Sequence, residues 1–98
     1  MHRFEAELWR WEGNAAWHFV TLPEDVSDDI EDVSGPVRRG FGSVRVRVTI
    51  GGSTWATSVF PDKQRQAYLL PVKQAVRKAE GLEAGDRATV ALEVLDHP

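Results

Sequence analysis

Hydrophobic and polar residues alternate one by one over several short stretches of this chain, and only twice does the spacing lengthen to a helical three-and-four step. In "RFEAELWRW", Phe4, Ala6 and Leu8 fall on one side of an extended chain, with Glu5, Glu7, Trp9 and Trp11 on the other. "EGNAA" supplies Gly13 and Asn14, which tolerate positive φ, as a hairpin connection into a second strand, "WHFVTL". The clearest alternation is "SVRVRVTI", which turns Val44, Val46, Val48 and Ile50 inward and Arg45, Arg47 and Thr49 outward. Gly51 and Gly52 make a two-residue turn into "STWATSVF", with Trp55, Thr57 and Val59 on one side and Ala56, Ser58 and Phe60 on the other. "PDKQRQ" reads as a polar loop and "AYLL" as a fifth strand. "RATVALEVL" is the last, with Ala88, Val90, Leu92 and Val94 inward.

The two helical stretches each follow a strand that ends in proline. "PEDVSDDIEDVSG" spaces Val26, Ile30 and Val33 by four and three, with Pro23 at its first position and Gly35 and Pro36 stopping it. After Pro71, which starts the second helix, Val72, Ala75, Val76 and Ala79 form an apolar stripe and Lys73, Gln74, Arg77 and Lys78 take the solvent side. Gly81 provides a left-handed cap over which Leu82 folds back, and Asp86 closes the "EAGD" turn through backbone N–H groups. "WHFVTLP" and "AYLLP", each followed by helix, glycine and strand, form a weak internal repeat. Six short strands with regular turns predict one small, mostly antiparallel β-barrel spanning residues 1–98, with two short helices and a pseudo-duplicated layout.

Charge divides the chain unevenly. Net charge is −3, yet residues 1–34 hold nine acids against two bases while residues 35–98 hold six acids against ten bases. Such asymmetry suits self-association or an anionic ligand on one face as well as ordinary solvated surface. No cysteine is present, which removes disulfides, thiolate nucleophiles and cysteine metal sites. No apolar run has the length of a signal peptide or membrane span, so a cytoplasmic protein without membrane contact is expected.

"YLLPVKQAVRKAEGLEAGDRATVALEV" resembles the half-barrel of the AbrB/MazE group, in which two chains interlock into a double-split barrel that binds DNA. A resemblance over nearly the whole length, carried by "WHFVTLP", "RRGFGSVRVRVTIGGSTWATSVFPD", "YLLPVKQAVRKAEGL" and "AGDRATVALEVLD", is to a small bacterial family catalogued only as domain of unknown function nineteen-oh-five. That resemblance implies a six- to seven-stranded double-split β-barrel in one chain and leaves the function open. DNA binding would follow from analogy of fold alone.

Candidate chemistry is of three kinds. A small anionic ligand could be held by Arg45, Arg47, Trp55, Thr57, Ser58 and Tyr68, since aromatics with a few polar groups line the usual ligand sites. Convergence of Trp55, Arg47 and Thr57 in one cavity is the feature that would favour this ligand. Nucleic acid is the lesser alternative: Arg38, Arg39, Lys73, Arg77 and Lys78 could meet phosphates, but the sequence pI near 5.5 opposes a polyanion. The competing role for Arg45 and Arg47 is pairing with Glu5, Glu7 or Glu93 on neighbouring strands. Catalysis has least support, and no catalytic residue, metal site or cofactor is assigned. His2 and His97 are terminal, His18 lies within a strand, and "GFG" at residues 40–42 precedes a strand, unlike a dinucleotide fingerprint. A protein partner, including a homodimer joining acidic and basic surfaces, completes the expectations.

Overall fold

The stretches that alternate in sequence pair with one another in space. A computed structural model describes residues 1–13, 17–34 and 42–95, and the expectations at Asn14, Gly35, Pro36, Arg38, Arg39, Gly40, Phe41 and His97 fall outside them. The elements are β1 (His2–Arg10), β2 (His18–Thr21), α1 (Glu24–Ser34), β3 (Val44–Ile50), β4 (Ser53–Asp62), β5 (Ala67–Pro71), α2 (Gln74–Glu80) and β6 (Arg87–Val94). The six strands close into a barrel in the order β1-β2-β5-β4-β3-β6, every ladder antiparallel. A mostly β protein with a closed six-stranded barrel and two helices is therefore the architecture. Among the described residues, no helix is long and apolar enough to cross a membrane.

Inward positions in β1, β3, β4 and β6 are those the alternation marked, while β2 and β5 are buried at consecutive residues. Leu8, Val20, Val44, Val46, Val48, Val59, Leu70, Val90 and Leu92 are completely buried in one cluster. Burying each such side chain stabilises the fold by about 1.5–3 kcal/mol. Gly51 has φ 57° while Gly52 stays outside the left-handed region. That is the φ pattern of a type II′ hairpin turn, which sets Ile50 opposite Ser53.

The two longest strands change partners midway. β1 pairs with β6 through His2–Glu7 and with β2 through Leu8–Arg10, while β4 pairs with β3 through Ser53–Val59 and with β5 only through Phe60–Asp62. The first half of β4 thus parts from β5, and α2 packs at that gap. The loop expected at residues 61–66 is correspondingly shorter, because Pro61 and Asp62 continue β4 opposite Tyr68 and Ala67.

Both helices are anchored by polar contacts as well as by apolar ones. α1 inserts Val26 and Ile30 into the core. Buried Ser27 donates from Oγ to the Leu22 carbonyl at 3.4 Å and accepts the Tyr68 N–H at 3.1 Å. Pro23 stands just before α1 and supplies the carbonyl that accepts the Ser27 N–H.

The second helix departs from expectation. Pro71 ends β5, paired with Phe19, and does not start the helix, whose first residue is Gln74. Val72 still donates its N–H to the His18 carbonyl at 2.9 Å, so extended chain continues past the proline. In so short a helix only Val76 is buried, with Ala75 and Ala79 exposed, so the apolar stripe narrows to Val72 and Val76. Gly81 does cap the helix at φ 65°, ψ 36°, and Leu82 N–H reaches back to the Arg77 carbonyl. Asp86 closes its turn by accepting the Glu83 N–H at 2.9 Å.

Candidate functional site

Where β4 parts from β5, the gap beside α2 forms an open crevice of about 630 Å³. One wall comes from the inner face of β4, through Trp55 and Thr57, with Ala56 between them. The opposite wall is the start of β2, Trp17 and His18. Pro71 and Val72 form the floor, and Lys73, Gln74 and Arg77 border the crevice from the α2 side. It is held together locally because the Val72 N–H bonds the His18 carbonyl, drawing the approach to α2 against β2.

The electrostatics of this crevice are one-sided. Lys73 and Arg77 line it, and among its described lining residues there is no carboxylate. Arg77 donates from Nε to the Val72 carbonyl at 3.2 Å, which fixes its guanidinium over the crevice floor, and its Nη1 lies 3.4 Å from His18 Nε2. A guanidinium can only donate, so His18 Nε2 is on the accepting side of this contact. Nδ1 is buried without a hydrogen-bond partner among the described residues.

The residues singled out from sequence are distributed between several places. Trp55 and Thr57 line the crevice together with Lys73 and Arg77, so residues expected for two different ligands share one site. Arg45 and Arg47 are elsewhere, because they oppose Ser58 and Ala56 across the β3–β4 ladder and so project from the barrel's other face. Arg47, Trp55 and Thr57 therefore do not converge. Arg47 pairs with Glu93 at 2.8 Å, as its neighbouring-strand role requires, and Arg45 reaches Ser58 Oγ at 3.5 Å. Tyr68 is buried, donates its hydroxyl to Glu31 Oε2 at 2.8 Å, and borders a separate groove of about 450 Å³ with Asp28, Asp62 and Lys63. Lys78 is exposed on α2 outside the crevice, and Arg38 and Arg39 are outside the described residues.

Trp17, His18 and Gln74, with the apolar Ala56, Pro71 and Val72, line the crevice without having been singled out from sequence as site residues. Their placement depends on β2 pairing with β5, some fifty residues away in the chain. No local signal carries that contact.

An aromatic group adjoins the crevice on the outer face of β1 and β2. Phe19 is its packed centre, with ring centroids 5.3 Å from Trp9, 5.9 Å from Trp11 and 6.0 Å from Trp17. The Arg65 guanidinium lies 4.2 Å above the Trp9 ring and bonds Asp62 Oδ2 at 2.7 Å. Burial alone would raise the Asp62 carboxyl, but the Arg65 guanidinium and the backbone N–H groups of Gln64 and Arg65 outweigh it and hold it below the ordinary carboxylate value. Among the described residues, no cluster of histidine and carboxylate side chains is arranged to hold a metal ion.

Over residues 4–92 the chain matches a family model described as "Domain of unknown function (DUF1905)". No curated protein matches it.

Proposed function

The chain belongs to the DUF1905 family, and from that premise we propose that it is a non-catalytic module binding a small anionic ligand that has an apolar or aromatic body. One observation carries this reading. The 630 Å³ crevice sets Lys73 and Arg77 against Trp17 and Trp55 without a carboxylate among its described lining. Its volume lies in the usual range of small-molecule sites, about 300–1,000 Å³. An anion there gains two cationic partners, and its body gains two indole surfaces. What favours binding over catalysis is that, among the described residues, no carboxylate lines the crevice to orient His18 for proton transfer, while a donor-only guanidinium faces its Nε2.

A thermal-shift panel of anionic metabolites at low and moderate salt tests the proposal. A ligand at one hundred times its Kd stabilises the folded state by about 2.7 kcal/mol. In a domain of this size that raises Tm by roughly 10–20 °C. At least one compound should give such a shift, and Arg77→Met should abolish it when each form is compared with its own unliganded Tm. A panel that shifts nothing, or a shift that survives Arg77→Met, sinks the reading.

A further inference from the structure

Trp17 belongs to two places at once: it lines the crevice, and it stands at the edge of the outer aromatic group. We infer that the crevice and this adjoining face take a free mononucleotide, its phosphate on Lys73 and Arg77 and its base on the indoles of Trp17 and Trp11. The inference rests on the ligand-binding reading above and names the ligand class.

Three observations point to a nucleotide. First, two cations of different geometry border the crevice, a planar guanidinium and an ammonium. Together they suit a dianionic phosphate monoester better than a single carboxylate. Second, the stacking surface extends beyond the crevice. Trp11 N–H donates to the Trp17 carbonyl at 2.8 Å, which holds the two residues in register at the hairpin mouth. They are 41% and 54% exposed, whereas Phe19 beneath them is 7% exposed and serves as packing. Third, the Arg65 guanidinium already covers Trp9. Within this outer group the indoles left to accept a base are therefore Trp11 and Trp17, and Trp17 itself lines the crevice with the two cations. Aromatic side chains stack on nucleobases with little regard to sequence, because every base has a π face.

Charge elsewhere selects a mononucleotide over a nucleic-acid strand. α1 carries Glu24, Asp25, Asp28, Asp29, Glu31 and Asp32, and the chain is −3 overall. That field repels a polyanion. Among the described residues lining the crevice, the two cations neutralise one phosphate and provide no track for successive ones.

Intrinsic tryptophan fluorescence provides the test, with adenosine and uridine monophosphates, inorganic phosphate, benzoate and an eight-nucleotide single strand titrated at moderate salt. The expected result is saturable quenching by a mononucleotide, with Trp11→Ala and Trp17→Ala each weakening it roughly 5- to 100-fold. Trp11→Ala should leave benzoate and inorganic phosphate unaffected, since neither reaches beyond the crevice. Each variant's far-ultraviolet circular dichroism and Tm are measured alongside, and Trp11, being exposed, tolerates replacement without loss of fold. Mononucleotides that fail to bind while benzoate or phosphate does would overturn the nucleotide inference and leave the anion-binding reading standing. Failure of every anion would overturn both. Binding of the single strand without mononucleotide binding, or a mononucleotide affinity unchanged in Trp11→Ala, would also overturn the inference.

Discussion

Replacing Gly51 by alanine should destabilise the protein through two separable effects. Gly51 sits at φ 57°, a left-handed conformation that costs an alanine about 1–2 kcal/mol. An added Cβ would also overlap the Glu80 carboxylate. That carboxylate accepts the Gly52 N–H at 3.2 Å and the Ser53 hydroxyl at 2.6 Å, tying the end of α2 to the β3–β4 turn. Pushing Glu80 aside forfeits both bonds, at about 0.5–1.5 kcal/mol each. The total is therefore about 2–5 kcal/mol, and urea unfolding followed by circular dichroism reads it as a lowered midpoint with an unchanged slope. The decisive comparison is Gly51→Ala in a Glu80→Ala background, where only the backbone cost of about 1–2 kcal/mol should remain. Equal costs in the two backgrounds would refute the role assigned to Glu80.

Three further outcomes follow from the same contacts. Ser27→Ala leaves the buried Tyr68 N–H without its acceptor and should cost about 1–3 kcal/mol in urea unfolding, whereas a cost within error would contradict that bond's role. Asp62 contributes stability above its ordinary pKa near 3.8, and this is lost as pH falls through its lower folded value. Asp62→Asn should therefore flatten the fall of Tm below about pH 4, and an unchanged profile would count against the Arg65 pairing. Lys78→Ala, exposed and outside the crevice, should leave the affinity for any crevice ligand within about twofold at moderate salt, because an exposed charge that makes no contact with the ligand acts only through solvent-screened attraction.

How much was legible in the sequence depends on whether the information was local. The alternation of β3 and β6 gave the inward residues because a strand repeats every two positions, and the Gly51–Gly52 turn gave the hairpin. Gly81 and Asp86 were readable for the same reason, since a cap and a turn involve only neighbours. The separation of Arg47 from Trp55 was also available. A two-residue turn sets Ile50 opposite Ser53, hence Val48 opposite Trp55 and Arg47 opposite Ala56, and residues paired across a ladder share a face. The helix α2 misled because its apolar spacing suggested a longer stripe, while Pro71 and Val72 remain extended on β2 and only Val76 faces inward. The crevice itself was illegible. It exists because β4 exchanges β3 for β5 at Phe60 and because β2 meets β5, contacts between distant parts of the chain.

The central claim is that ligand recognition resides in the crevice between β2, β4 and α2. Two-dimensional ¹H–¹⁵N NMR of the full chain, titrated with the anion giving the largest thermal shift, tests it most directly. Saturable changes should centre on the indole N–H signals of Trp17 and Trp55 and on the amides of His18, Lys73, Gln74 and Arg77, which line that crevice. Changes confined to the outer face of Arg45 and Arg47, or to the groove beside Tyr68, would contradict it.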